Sequence, residues 1–140
     1  MTLDVTDADA TRRFLLETDA SHPLDMVHAN AGVAESSALA DAFSDLEKAA
    51  HVVTAINVNG VINTVLPAIA VMRARGHGQI AITASLAGFT TYLNSVPSYA
   101  ASKNWARAWG LGLRSHFWST GCVGNSSHRP APSLSLSIAL

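Results

Sequence analysis

Cysteine and charge are both scarce in this sequence of 140 residues. A single cysteine, Cys122, can form neither an internal disulfide nor a cysteine-based zinc site. Charged residues make up 14% of the chain, and 9 basic against 10 acidic side chains give a net charge of −1. This balance argues against nucleic acid and membrane surfaces as partners, because bulk electrostatics would attract neither. The low cysteine use fits a reducing, cytoplasmic compartment.

The sequence also lacks a secretory signal and an unbroken membrane-spanning run. Residues 1–9 carry aspartates and threonines where a signal has a basic segment followed by an apolar one. The most apolar window, Val52–Met72, is long enough to cross a bilayer. It contains residues that are costly in hydrocarbon, namely Asn57, Asn59, Gly60, Asn63 and Pro67. We therefore expect a buried helix of a soluble protein.

Apolar residues are abundant enough for the core of one domain. They make up 49% of the chain, which excludes disorder, collagen and coiled coil. The pattern predicts a helix over Asp7–Asp19 with Thr6 as N-cap, a strand over Leu24–Ala29, a helical block over Ala38–Arg75 broken near Ala49, a strand over Gln79–Ala84 and a helix over Tyr99–Trp118. Gly76 is expected to end the second block, whose apolar face comprises Val58, Ile62, Val65, Ile69 and Met72. This alternation of strands and helices predicts an α/β fold with a parallel sheet, with functional residues at the strand ends.

The composition changes at Ser119. Residues 119–140 are rich in serine and proline and have no apolar face of helical period. Ser133–Leu140 alternates serine with mostly aliphatic residues, a pattern that fits a strand or a disordered tail. We favour disorder, and therefore divide the chain into a domain over residues 1–118 and a tail over residues 119–140.

One pair of residues stands out for its chemistry. Tyr99 and Lys103 are four positions apart, so on a helix their phenol and ammonium groups are neighbours on one face. Taken alone, this pair also fits an inert surface contact. A serine hydrolase is disfavoured because no glycine stands two positions before Ser85. No metal site is expected, since the six histidines never adopt a metal-binding spacing.

Three further motifs accompany that pair in the order and spacing of a known family. They are Asn30-Ala31-Gly32 after a strand, Asn57 within Ile56-Asn57-Val58-Asn59-Gly60, and Ser85 within Thr83-Ala84-Ser85-Leu86-Ala87-Gly88. Together with Tyr99-Ala100-Ala101-Ser102-Lys103, they resemble the short-chain dehydrogenase/reductase family. Asp4-Val5 resembles the family's pair at the end of its third strand, which passes the adenine ring of the cofactor. The resemblance extends from Leu3 to about Ser119.

This resemblance implies an oxidoreductase that uses NAD or NADP to interconvert alcohols and carbonyls. Tyr99 would be the general acid or base, Ser85 would hold the reacting oxygen, and Asn57 would support a proton relay from a distorted helix. Lys103 would favour the phenolate and hold the nicotinamide ribose. The implied cofactor-binding residues are Asp4, Val5, Asn30, Ala31, Gly32, Tyr99 and Lys103.

The chain also departs from the family pattern. The Gly-rich βαβ unit that receives the pyrophosphate is missing, so we expect a partial Rossmann-like, doubly wound sheet. The Pro-Gly stretch expected after Gly121-Cys122-Val123 is also missing. An alternative function is therefore a catalytically inactive fragment that pairs with another chain. Helices 58–72 and 99–118 would then be the contacts, because in the family the corresponding helices commonly form the subunit interface.

Overall fold

The computed structural model describes residues 2–34, 45–89, 96–121 and 133–139. The helices are α1 (Ala8–Ser21), α2 (Leu46–Thr54), α3 (Gly60–Arg75) and α4 (Pro97–Gly121), and the strands are β1 (Met26–Ala29), β2 (His77–Thr83) and β3 (Ser133–Ala139). A π-helical turn, Ala55–Asn59, joins α2 to α3, and a 3-10 turn, Leu86–Phe89, follows β2. The predicted helix start at Ala38 and residues 122–132 of the predicted tail lie outside the described residues.

Helix α1 begins one residue later than the predicted cap. Asp7 is the N-cap, and its carboxylate accepts a hydrogen bond from the backbone N–H of Ala10 at 2.9 Å. Thr6 was the wrong choice because both its N–H and its hydroxyl donate to the Asp4 carboxylate, at 2.9 and 2.8 Å. Asp4 and Val5 consequently lie in a turn rather than at the end of a strand.

The helical segment before β2 is also irregular at a different place from the predicted one. Ala49 is buried inside α2, so the predicted break there is wrong. The irregularity is the π-helical turn, after which α3 continues to Arg75. Gly76 ends α3 with a φ of 84°, as predicted, since a left-handed backbone position favours glycine.

The three strands form one parallel sheet in the order β1-β2-β3. Helix α3 packs against β1 and β2, α4 packs against β2 and β3, and α1 packs against α3. Right-handed crossovers in a sheet of this order place both connecting helices on the same face. The residues on that face form aligned rows, Val27–Ile80–Leu136 and Ala29–Ile82–Ile138. In the described part of the chain, the other face has no helix against it and exposes side chains of every strand, including Met26, His28, Gln79, Ser135 and Ser137.

Strand β3 corrects the prediction of a disordered tail. Ser133–Ala139 pairs with β2 along its whole length, from His77↔Ser133 to Thr83↔Ala139. The alternation of serine and aliphatic residues matches a sheet with one face packed and one face solvated. Helix α4 likewise runs to Gly121, past the predicted end at Trp118.

The long apolar helical segment is packed within the fold. Leu46–Arg75 is the one described segment long and apolar enough to span a membrane by length and composition. It packs instead on α1, α4 and the sheet, as a core helix does. Of the predicted apolar face, Val65, Ile69 and Met72 are buried, whereas Val58 and Ile62 are half-buried.

Candidate active site

The Tyr99–Lys103 pair lies on the first turns of α4, next to the carboxyl end of β2. The Nζ atom of Lys103 is 5.8 Å from the centroid of the Tyr99 ring. It donates a hydrogen bond to the backbone carbonyl of Thr83, the last residue of β2, at 3.0 Å. The predicted neighbourhood of phenol and ammonium is therefore present in the structure.

Lys103 is buried, with 5% of its surface exposed. Burial lowers the pKa of its ammonium from the usual 10.5, because a charged group loses solvation in the interior. Within the described residues the ammonium donates to one carbonyl, and an ammonium carries three N–H groups. Lys103 is thus equipped to bind a polar ligand at the end of β2.

Asn57 occupies the π-helical turn, which agrees with the distorted helix that the resemblance implies. Its side chain is almost fully buried, at 1% exposure. The amide oxygen accepts from the N–H of Val33 at 2.8 Å, and the amide nitrogen donates to the carbonyl of the same residue at 2.9 Å. Asn57 therefore fixes the loop that leaves β1.

Ser102 connects Asn57 to Tyr99, a role that the sequence reasoning missed. Its hydroxyl accepts from Asn57 Nδ2 at 3.0 Å and donates to the backbone carbonyl of Tyr99 at 2.7 Å. Ser102 is itself buried. Its position inside the Tyr99–Lys103 motif was the only available signal, because the partner on the π-helical turn is 45 residues away in the chain.

The turn after β1 closes over this group. A Cβ atom added to Gly32 would lie 3.3 Å from Lys103 Nζ and 3.4 Å from Asn57 Oδ1, so the glycine backbone approaches both closely. Two residues earlier, the Asn30 amide oxygen accepts from the Thr83 hydroxyl at 2.8 Å. Ala31 is exposed between them. Asn30, Gly32, Asn57, Tyr99 and Lys103 are thereby linked through direct contacts or through Thr83 and Ser102.

Ser85 follows β2 and begins the 3-10 turn. Its hydroxyl accepts from the N–H of Ala87 at 3.2 Å, and its carbonyl accepts from the N–H of Gly88 at 2.9 Å. The turn is fixed to α4, because Asn104 Nδ2 donates to the Gly88 carbonyl at 2.8 Å. Among the described residues, the hydrogen bonds of Ser85 therefore stay within its own turn, beside the helix that carries Tyr99 and Lys103.

Asp4 and Val5 form a second group, against α1 and the start of α3. The Val5 carbonyl accepts from Asn63 Nδ2 at 2.9 Å, and the Val5 side chain fills the space where a Cβ of Gly60 would lie. Hydrogen bonds from the backbone and side chain of Thr6 lower the pKa of Asp4, so its exposed carboxylate is anionic at neutral pH.

The site combines a phenol, a buried ammonium and a serine hydroxyl at the end of a parallel sheet. In open α/β sheets, ligands bind outside the carboxyl ends of the strands. A phenol can exchange a proton with a substrate oxygen, and the ammonium can stabilise negative charge on it. In the described part of the chain, no group of three His, Cys, Asp or Glu side chains could hold a metal ion.

Comparison with known proteins places this geometry in context. The sequence matches the family model described as short chain dehydrogenase over residues 1–123. A short-chain dehydrogenase structure from Streptomyces avermitilis is similar with a TM-score of 0.73 at 19% identity, covering 99% of this chain and 46% of that chain. A gluconate 5-dehydrogenase from Burkholderia cenocepacia J2315, in complex with NADP and tartrate, gives 0.73 at 24% identity, with coverage of 96% and 48%.

The structure of ElxO with NADP bound has a TM-score of 0.76 at 21% identity and covers 86% of this chain and 48% of that chain. At these identities the likeness shows the fold alone. No sequence among the curated proteins matches this chain. The chain spans about half the length of the solved structures that it resembles.

Proposed function

The chain belongs to the short-chain dehydrogenase family, and from this premise we propose that it catalyses NAD- or NADP-dependent hydride transfer between an alcohol and a carbonyl. The observation that carries the proposal is the buried Lys103, which faces Tyr99 and donates to the carboxyl end of β2. A buried ammonium is costly unless polar groups replace its lost hydration. In the part of the chain that the structure describes, Lys103 donates to one carbonyl and lies beside a phenol.

The roles follow from the chemistry of each side chain. Tyr99 exchanges a proton with the alcohol or carbonyl oxygen, and Ser85 holds that oxygen by a hydrogen bond. Lys103 stabilises the phenolate of Tyr99 and binds hydroxyl groups of the cofactor. Asn57 keeps the loop after β1 and, through Ser102, the first turn of α4 in place.

One observation at Gly32 supports a nicotinamide cofactor at this site. A Cβ at Gly32 would lie 3.3 Å from Lys103 Nζ, so any larger residue there would occupy space next to the ammonium that we propose binds the cofactor. Asn30, Ala31, Gly32, Tyr99 and Lys103 would hold the nicotinamide half, and Asp4 and Val5 the adenine half. Bound NAD or NADP supplies the hydride donor or acceptor.

The two NADP-containing neighbours support NADP as the first cofactor to test. We place the reaction in the cytoplasm, because the low cysteine content fits a reducing compartment, and take a small-molecule alcohol or ketone as substrate. The helical segments over residues 58–72, which joins the π-helical turn to α3, and 99–118, within α4, are our candidates for contacts between subunits.

Cofactor titration of the purified chain tests the proposal. NADPH and NADH fluorescence should saturate with wild type, and Lys103→Ala should weaken this binding. Tyr99→Phe should lower hydride transfer by about 10²- to 10⁴-fold, the usual contribution of a general acid or base, and should weaken cofactor binding less than Lys103→Ala does. The matched control is Tyr92→Phe, which removes the other phenol hydroxyl of the chain. Absence of binding at millimolar cofactor overturns the proposal.

A second candidate is a catalytically inactive family member that pairs with another chain through its helices. The observation in its favour is apolar surface on those helices, where Leu66 is 46% exposed and Val58 and Ile62 are half-buried. Sedimentation of the wild type and Leu66→Glu distinguishes the two. A dimer that the variant dissociates, together with no cofactor binding, supports this second candidate.

A further inference from the structure

A chain of three side chains crosses the ends of β1 and β2 on the sheet face without helices. His28 Nε2 lies 2.8 Å from the Thr83 hydroxyl, and the same hydroxyl donates to Asn30 Oδ1 at 2.8 Å. The register pairs Ala29 with Ile82, which aligns Asn30 with Thr83. Residues two apart on a strand share a face, so the three side chains point to the same side of the sheet.

The direction of these hydrogen bonds is fixed by donor counting. A threonine hydroxyl has one hydrogen, and an amide oxygen only accepts. Because that hydrogen is used toward Asn30, His28 must donate to the Thr83 oxygen through its Nε2–H. The chain therefore runs from His28 as donor, through Thr83, to Asn30 as acceptor.

Thr83 also touches the proposed catalytic group through its main chain. Its carbonyl accepts from Lys103 Nζ at 3.0 Å, while its hydroxyl holds the side chain of Asn30. One residue thus positions both an ammonium proposed to bind the cofactor and an amide of the turn proposed to border it. The direction of its hydroxyl is set by His28.

We infer that His28 is a positioning residue of this site, acting through the Thr83 hydroxyl to hold the Asn30 side chain where the cofactor binds. The inference rests on the proposed function and adds a residue to it. His28 and Asn30 are exposed and Thr83 is half-buried, so none of the three fills the core. Loss of the hydrogen bonds that join these three side chains should therefore alter cofactor affinity more than it alters the stability of the fold.

Paired substitutions test this role by NADPH titration. Thr83→Val keeps the shape of the side chain but removes its hydroxyl, whereas Thr83→Ser retains the hydroxyl. His28→Ala loses the donor, whereas His28→Gln restores an N–H donor at a similar reach. We expect the Kd for NADPH to rise about threefold to tenfold in Thr83→Val and His28→Ala, and less than about twofold in the two conservative variants.

Two controls separate positioning from a general effect on the sheet. Gln79→Ala alters an exposed residue of the same sheet face and should leave the Kd unchanged. In an Asn30→Ala background, Thr83→Val should have no further effect, because residues that act through one partner are not additive. Circular dichroism melts of each variant verify the fold.

A cofactor-free measurement adds an independent readout. Nitrogen-15 NMR of the imidazole should show His28 protonated at Nε2, and Thr83→Val should shift the side-chain amide resonances of Asn30. Protonation at Nδ1 alone, or wild-type binding with the same Kd in every variant, overturns the inference while the proposed function stands. Absence of NADPH binding by the wild type overturns the proposed function and the role of His28 with it.

Discussion

The ammonium of Lys103 donates to the carbonyl of Thr83 across 3.0 Å, and this contact ties α4 to the carboxyl end of β2. The two residues belong to different layers of the fold, since Thr83 ends the central strand and Lys103 lies on the helix above it. The candidate site is thus assembled by the packing of helix on sheet. Substitutions of Lys103 should show how much the buried charge lowers the stability of the fold and how much it contributes to cofactor affinity.

Lys103→Met should weaken NADPH binding without lowering the stability of the fold at neutral pH. The substitution keeps the apolar stem and removes a charge that burial disfavours, as the lowered pKa of Lys103 indicates. The expected result is a free energy of unfolding equal to or above that of wild type, with cofactor affinity reduced at least about tenfold. Urea unfolding and NADPH fluorescence measure the two quantities.

The buried Lys103 should also make the stability of the wild type depend on pH, and Lys103→Met is the reference for this effect. Lys103 titrates near 10.5 when unfolded and at a lower pH when folded. Between these values the unfolded chain binds more protons, so stability rises with pH. The free energy of unfolding of wild type minus that of Lys103→Met should therefore increase as pH approaches 10.5, and be constant below the folded pKa. Lys48→Met, at an exposed lysine, corrects for other effects of alkaline pH. A difference that decreases with pH contradicts the burial of this charge.

Ser102→Ala should destabilise the chain although it removes a single atom. Its hydroxyl joins Asn57 Nδ2 to the Tyr99 carbonyl inside the protein. Removing it leaves a buried amide hydrogen without its partner, which costs about 1 to 3 kcal/mol. Ser115→Ala, at an exposed position on the same helix, is the control and should change stability by less than about 0.5 kcal/mol. Equal urea midpoints for the two variants would refute the bridging role.

Local patterns in the sequence were sufficient for much of the fold. Alternating strands and helices predicted the parallel sheet, Gly76 marked the end of α3, and the spacing of Tyr99 and Lys103 placed both on one helix face. Each of these signals depends on residues within a few positions of each other. They remain readable without knowledge of the tertiary structure.

Features that depend on distant partners could not be predicted in this way. Strand β3 becomes ordered by pairing Ser133 with His77, which is 56 positions away. The alternation of serine and aliphatic residues fits a strand but does not identify this partner. Ser102 and Thr83 gain their roles from Asn57 and Lys103 on other elements. The cap of α1 was misplaced because two adjacent residues could serve, and the Asp4 turn engages one of them.

Gly88→Ala should disrupt the contact between the Ser85 turn and α4. A Cβ at Gly88 would lie 2.7 Å from the backbone N of Asn104 and 2.8 Å from the carbonyl carbon of Lys103, neither of which can move independently. We expect a loss of about 1 to 3 kcal/mol, as for overpacked sites, and a lower rate of hydride transfer. Gly112→Ala is the matched control, because nothing lies within 4 Å of its added Cβ. It should stabilise α4 by about 0.5 to 1 kcal/mol. Equal effects of the two alanines on thermal melting would argue against the close approach.

Asp19→Asn should destabilise the end of α1 at neutral pH and do so less in acid. The Arg75 guanidinium, 2.6 Å away, and the N–H of Leu24 both donate to this carboxylate and lower its pKa below 3.8. A lowered carboxyl pKa contributes stability that is present above the unfolded value and is lost as pH falls through the folded value. The expected loss is about 1 to 2 kcal/mol at pH 7, and it should shrink below about pH 4. Asp9→Asn, at an exposed carboxylate, is the control for urea unfolding at each pH.

Ile138→Ala should weaken the sheet if β3 is part of the folded domain. The Ile138 side chain lies 3.3 Å from where a Cβ of Gly110 would be, and its strand position aligns it with the fully buried Ile82. Truncating a half-buried isoleucine at this helix–sheet contact should cost about 1 to 3 kcal/mol. Ser137→Ala, which alters the exposed face of the same strand, should be close to neutral. Ending the chain at residue 132 should lower the free energy of unfolding more than Ile138→Ala does. The shortened chain leaves the edge of β2 and the side chains of Ile80 and Ile82 uncovered. Thermal melts that are identical for wild type, Ile138→Ala and the shortened chain would instead mean that residues 133–139 contribute nothing to the core, and that the site at the end of β2 is supported by β1, α3 and α4 alone.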